Sequence, residues 1–244
     1  MRLLVHFHIF YLEQVPWFLR KLANIHGVDW DLYVTGREEA MPMLRTIKAD
    51  AKFLEVENAG YDIWPFISVL RAVDLSMYTH ILKIHTKNRA PKFIQLNGIW
   101  LPGYRWRNLL VNSVLGSKKR FLKALELSRK GLVCEDLLVK NLSRTNPTDN
   151  EMLREEALRI GLDIKGRQFA AGTMFLSRIE PFDVFVSAPV DASLFRGKSA
   201  THLSGSPAHV YERLLSLAVT SAKYEIVPVV TKPLASLWKR IIVR

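Results

Sequence analysis

Cysteine is almost missing from this chain. Cys134 stands alone among 244 residues, which excludes a disulfide framework and a cysteine-rich zinc site and suits a reducing cytoplasm. Also missing is any uninterrupted apolar run near the roughly 20 residues of a membrane-spanning helix. The start, Met1 to Phe10, carries one arginine and two histidines and runs into Glu13 without a small-residue cleavage site, so it reads as no signal peptide. No Asp-x-Asp pair follows a predicted strand and there is no His-Glu-x-x-His, so a metal site has little support. A Gly-x-Ser-x-Gly elbow and a phosphate loop ending in Gly-Lys-Ser/Thr are absent too, which weakens hydrolase and nucleoside-triphosphatase readings.

Acidic residues are the minority charge. Lys and Arg number 35 against 23 Asp and Glu, a net of +12, which points to an anionic partner: nucleic acid, an acidic membrane surface or a phosphorylated ligand. Apolar residues at 49% and charged residues at 24% describe a globular chain and exclude a disordered one. The length fits a single domain with a sizeable core.

The first 90 residues alternate strand and helix patterns. Strands are predicted at Leu3–Phe10, Asp31–Thr35, Ala51–Val56 and Thr79–Ile84, and helices at Leu12–Ile25, Glu38–Lys48 and Ile63–Val73. This βαβαβαβ order implies right-handed crossovers and an α/β fold, a mostly parallel Rossmann-type sheet with helices on both faces. Residues 89–104 read as a loop, Tyr104–Lys130 as one or two helices and Gly131–Asp136 as a strand. Thr148–Ile160 reads as a helix, Phe169–Ser177 as a strand, Pro207–Ser221 as a helix and Tyr224–Val230 as a last strand. In such sheets ligands bind beyond the carboxyl ends of the strands. Those ends carry Thr35 and Gly36, then Asn58 to Asp62, then His85 to Asn88.

Each cluster has two readings. Gly60 would let a ligand approach the backbone and Asp62 would face it, or Asp62 simply caps the following helix. His85-Thr86-Lys87 would hold a phosphate, or form a solvated turn. Gly172 and Thr173 permit close approach of a ligand, or tight packing. His209 and Glu212, three apart on one helix face, suit acid–base work, or join Arg213 in a surface ion-pair cluster. His6 and His8 are half a metal-ligand set, or hydrogen-bonded structure.

The positive excess is local. Arg105, Arg107, Lys118, Lys119, Arg120, Lys123, Arg129 and Lys130 meet Glu126 alone, a net of +7 over residues 102–130, and Lys232, Lys239, Arg240 and Arg244 add +4. Residues 231–244 read either as a cationic amphipathic helix for an anionic membrane or as a helix docked on the core. No nucleic-acid motif accompanies the charge, so nucleic acid is not an expected partner.

Seven stretches in order, VHFHIFYLEQV from residue 5, DLYVTG from 31, VENAGYDIWPFISVL from 56, THILKIHTKN from 79, RNLLVNSVLGS from 107, FAAGTMFLSR from 169 and AHVYERLLSL from 208, resemble the rhamnan synthesis protein F family of bacterial polysaccharide-assembly proteins. GYDIWPF followed by LKIHTKN is the specific part; Leu132–Asn150 aligns with no family motif. The resemblance implies a GT-A-like glycosyltransferase domain over 1–230, with a nucleotide-sugar-binding half (1–90) and an acceptor and catalytic half (91–230). It would use a nucleotide-diphospho-sugar, with dTDP-rhamnose suggested by the family name alone. The acceptor would be a cell-surface polysaccharide or lipid-linked glycan, and the place of work the cytoplasmic face of the membrane. Such folds usually hold a divalent metal, Mg or Mn, on an Asp-x-Asp after the fourth strand. His85-Thr86-Lys87 stands there instead, which disfavours the metal and makes Lys87 its partial replacement. Thr35, Asn58, Gly60, Asp62, His85 and Thr86 would line the donor, and Gly172 and Thr173 the acceptor. Glu212 would be the general base, with His209 the weaker candidate. A non-catalytic assembly scaffold of the same fold is the alternative.

Overall fold

The structure, a computed structural model, describes residues 1–87, 93–96, 99–144, 147–196 and 206–231. The elements in chain order are β1 (Arg2–Ile9), α1 (Val15–Leu22), β2 (Asp29–Gly36), α2 (Met41–Arg45), β3 (Lys52–Phe53), α3 (Ile63–Ala72) and β4 (His80–His85). There follow β5 (Phe93–Leu96), β6 (Ile99–Pro102), α4 (Gly103–Leu115), α5 (Lys118–Leu127), β7 (Gly131–Glu135), β8 (Val139–Asn141) and α6 (Pro147–Arg159). The last are β9 (Gln168–Ala170), β10 (Phe175–Arg178), α7 (Ala192–Phe195), α8 (Pro207–Ser221) and β11 (Glu225–Val229).

Seven strands form one sheet in the order β11-β7-β10-β4-β1-β2-β3. β1 pairs in parallel with β2 and β4, β2 with β3, and β11 with β7, while β10 runs antiparallel between β4 and β7. The α/β class, the mostly parallel sheet and the helices on both faces follow the sequence reading. Alternation along β1 explains the two layers. Leu3, Val5, Phe7 and Ile9 pack under Phe18 and Leu22 of α1 and Leu110 and Val114 of α4. On the other face Leu4 packs under Phe66 and Leu70 of α3 and Leu214 and Leu217 of α8.

β2 and β3 extend from one side of β1 and β4 lies on the other, so the connections reverse between β1 and β4. The crevice at such a switch point, beyond the carboxyl ends, is where doubly wound sheets place ligands. β10 enters the sheet with Phe175 opposite Lys83, which sets the preceding turn, 171–174, beside the end of β4. A three-residue connection joins α8 to the start of β11, so the first turn of α8 lies at the same carboxyl end.

Several predicted elements change. Residues 89–104 were expected as a loop, but Phe93–Leu96 and Ile99–Pro102 form an antiparallel hairpin and α4 starts at Gly103. The strand expected over Phe169–Ser177 is two strands, because Gly172 and Thr173 take left-handed φ values of 88° and 49° that no strand accommodates. β3 is short: after Phe53 only the Leu54 N–H still reaches Val34, and Glu55, Glu57 and Asn58 face solvent. The helices expected from Leu12 and Glu38 each begin with a 3-10 turn. Of the amphipathic tail expected over 231–244, residues 232–244 lie outside the described residues. Among the described residues no helix is long and apolar enough to cross a membrane.

Candidate functional site

Side chains two apart on a strand share a face, so His6 and His8 of β1, Thr35 of β2, and Lys83 and His85 of β4 emerge together beneath α3. The registers set His6 beside Lys83, and His8 between Thr35 and His85. All five are buried. The Thr35 hydroxyl is shared by His6 Nε2 at 2.9 Å and His8 Nδ1 at 3.0 Å. Burial pushes the His8 imidazole down to about 4 and holds His6 well below its usual range, so both are neutral at pH 7. This pair is hydrogen-bonded to Thr35 within the core.

Asp62 occupies the N-cap of α3, yet its side chain caps nothing. The carboxylate instead accepts from Lys83 Nζ and, at 2.5 Å, from the Thr173 hydroxyl. Simple capping is thereby replaced by a link between three elements. Burial opposes ionisation of Asp62, but His85, Lys83 and Lys87 outweigh it and hold the carboxyl well below the carboxylate range. Lys83 also donates to the Thr173 carbonyl at 3.1 Å and lies 5.3 Å from the centre of the Phe66 ring. Burial lowers its pKa and Asp62 partly restores it.

The turn at 171–174 ties the two halves of the chain together. His85 Nε2 lies 3.0 Å from the Gly172 carbonyl and Nδ1 lies 2.9 Å from the Thr86 carbonyl. Burial drives His85 down to about 4, while Asp62 and the Gly172 carbonyl work in the opposite direction. The Gly172 N–H donates to Glu212 Oε1 at 2.5 Å, which places the carboxylate of α8 across the turn from Asp62. Lys87 closes the group. Its ammonium lies 3.9 Å from the Trp106 ring centre, a cation–π contact, and its backbone is held by Gln14, whose amide donates to the Lys87 carbonyl at 2.8 Å. Arg107 donates to Gln14 at 3.3 Å and stacks over Trp17.

Asp62, His85, Lys87, Gly172, Thr173 and Glu212 are thus brought to one place. Five other candidates are not. Thr35 is sealed beneath the two histidines. The Thr86 hydroxyl accepts from the Phe10 and Tyr11 N–H groups at 2.9 and 3.0 Å, clamping the chain as it leaves β1. Gly60 packs against Phe195, which a Cβ there would meet at 2.7 Å. Asn58 is exposed on the loop before it. His209 pairs through Nδ1 with Ser206 Oγ at 2.8 Å, at the cap of α8. The expected surface cluster with Arg213 is replaced by a buried Arg213 over the Phe169 ring.

Sequence reasoning missed Lys83, Gln14 and Trp106. Lys83 left a visible signal, a lysine inside the apolar run Ile81–Ile84; Gln14 and Trp106 left none. The only Asp-x-Asp near a strand, Asp29-Trp30-Asp31, opens β2 at the amino end of the sheet, where Asp31 pairs with Arg2 and Tyr78. After β4, an imidazole turned to carbonyls, a hydroxyl accepting two amides and an ammonium do not fit a divalent cation. Among the described residues no group of three or more His, Cys, Asp or Glu is arranged to hold one.

No solved structure matches the chain. Two curated relatives, both the "Uncharacterized protein WxcX" of Xanthomonas campestris pv. campestris strains, are 27% and 26% identical over 71% of this chain. The chain spans about a quarter of their length, with 24% of each covered. The model of rhamnan synthesis protein F matches residues 1–224, including every element that builds the site. The chain belongs to the rhamnan synthesis protein F family.

Proposed function

We propose that this protein is a glycosyltransferase of polysaccharide synthesis, with a GT-A-like domain that moves a sugar from a nucleotide-diphospho-sugar to a growing glycan or lipid-linked acceptor. The carrying observation is the meeting of Lys87, Asp62 and the Glu212-bound turn 171–174 at the carboxyl end of β4, beside the switch-point crevice. Family membership supports the role in rhamnan and polysaccharide synthesis. Rhamnose as the sugar rests on the family's description alone.

In the proposed reaction the acceptor hydroxyl oxygen bonds to the anomeric carbon as the bond from that carbon to the diphosphate oxygen breaks, inverting the centre. The hydroxyl proton passes to Glu212, which Gly172 N–H orients through Oε1. The electron pair leaves on the nucleoside diphosphate, where Lys87 faces the growing negative charge. Asp62 lines the donor side and Gly172 and Thr173 the acceptor side. The basic surface and tail would hold the enzyme at the anionic cytoplasmic face of the membrane.

Calorimetry and transfer assays over a panel of nucleotide sugars test this reading. Glu212→Gln is expected to bind donor while turnover falls about 10²–10⁴-fold, and Lys87→Ala to lose both affinity and rate. Full turnover by Glu212→Gln, or strict dependence on added Mn²⁺ or Mg²⁺ abolished by chelator, would remove the assigned roles. The non-catalytic scaffold has one observation in its favour, the lack of an Asp-x-Asp after β4. Absence of binding and hydrolysis for every nucleotide sugar would establish it.

A further inference from the structure

Lys83 is fully buried in the middle of the sheet, at a position where methionine or leucine would pack without the cost of burying a charge. Its ammonium is well supplied. It reaches Asp62 Oδ2, the Thr173 carbonyl at 3.1 Å and the Phe66 ring. Asp62 belongs to the start of α3 and Thr173 to the turn before β10, so one buried cation joins two elements separated by 111 residues. The same turn, through Gly172 N–H, orients Glu212.

We propose that Lys83 is a positioning residue of the transfer site. By holding Asp62 and the Thr173 carbonyl on one ammonium, it fixes the 171–174 turn and with it the spacing between the donor side and the Glu212 base. This inference rests on the glycosyltransferase reading for its catalytic consequence, but not for the geometry. The charged and titratable groups facing the pair are His6 and His8 of β1, His85 of β4, Lys87 beyond it and Glu212 of α8. Lys83 is the cation in direct contact with the Asp62 carboxylate.

The test compares Lys83→Met, Asp62→Asn and the double variant, which keeps the site neutral should Lys83→Met fail to fold. Amide exchange at Gly172 and Thr173 is expected to rise tenfold or more in both variants lacking the lysine. In Asp62→Asn it is expected to rise less, because Lys83 still reaches the Thr173 carbonyl while the Thr173 hydroxyl loses its carboxylate. Turnover is expected to fall about 100-fold in Lys83→Met, with donor KM changing less than about fivefold, as for misplacement of a reacting group. In Lys83→Met the Asp62 carboxyl is expected to titrate at higher pH. Unchanged exchange at the two amides, or wild-type turnover in Lys83→Met, would overturn the proposal. If the wild-type protein binds no nucleotide sugar, the glycosyltransferase reading fails, and the exchange measurement still decides whether Lys83 fixes the turn.

Discussion

Replacing Thr86 by valine keeps the shape of the side chain and removes the oxygen that accepts from Phe10 and Tyr11 N–H. Those donors lie where the chain leaves β1, against a residue that is 4% exposed. An amide left without a partner in such a place costs about 1–3 kcal/mol. Thr86→Val should therefore lower the urea midpoint by a clear margin, whereas a solvated-turn threonine would not. Protonation of buried imidazoles gives a second expectation. His8 and His80 are both pushed down to about 4 by burial, below the 6.5 of an unhindered imidazole. Between pH 6.5 and 4 the unfolded chain binds these protons and the folded chain does not, so stability is full above 6.5 and declines as pH falls. The ceiling is about 3 kcal/mol for each histidine. His6 and His85 are depressed in the same way, so urea midpoints measured across that interval should fall with a proton-uptake slope approaching about four. Asp62 works lower still: its depressed carboxyl adds stability that is lost only as pH drops below the ordinary carboxylate range.

At the scale of elements, the 171–174 turn decides whether two strands and a helix meet. Gly172 has φ 88°, and a Cβ there would press on Leu110 at 3.1 Å. Gly172→Ala should cost about 1 kcal/mol or more from the backbone alone. It should also depress transfer beyond what the stability loss explains, because the displaced amide is the one that holds Glu212. Thermal melts and steady-state rates on the same preparation separate the two effects. The long elements were legible because their residues repeat at helical or strand spacing: β1, β2, β4, α3 and α8 all lie within a few residues of expectation. The 93–102 hairpin was not, since Pro91, Gly98, Pro102 and Gly103 read as loop punctuation, whereas Pro102 closes β6 and Gly103 opens α4. The turn inside 169–178 was hidden for a different reason. Gly172 gave a hint, but a threonine in left-handed geometry at 173 is set by its contacts with Asp62 and Lys83, which no local pattern encodes. The site shows the same division. Asp62, His85 and Lys87 were found from their places at strand ends, whereas Gln14 and Trp106 enter through tertiary contacts alone.

For the molecule as a whole, the +12 charge is spread unevenly along the chain. α5 presents Lys118, Lys119 and Lys123 to solvent, Arg129 and Lys130 follow it exposed, and Glu126 is already paired with Lys123. Among these cations Leu122 is 41% exposed, an apolar contact that a lipid interface rewards and a free polyanion does not. Attraction between such a face and anionic headgroups acts within a Debye length, about 8 Å at physiological salt. The protein should therefore sediment with vesicles containing phosphatidylglycerol, should not with pure phosphatidylcholine, and should come off as salt rises. Reversing Lys118, Lys119 and Lys123 to glutamate should weaken that binding if α5 faces the membrane. Reversing Lys232, Lys239 and Arg240 instead tests the tail. Equal loss from both would mean that the two basic segments act together, as expected for an anchor needing more than one weak signal. Loss from the tail alone would leave α5 as an ordinary solvated helix. Sedimentation unaffected by either set would remove the membrane from the account and return the surplus charge to the acceptor, where a phosphorylated lipid-linked glycan is the anion that the proposed reaction supplies.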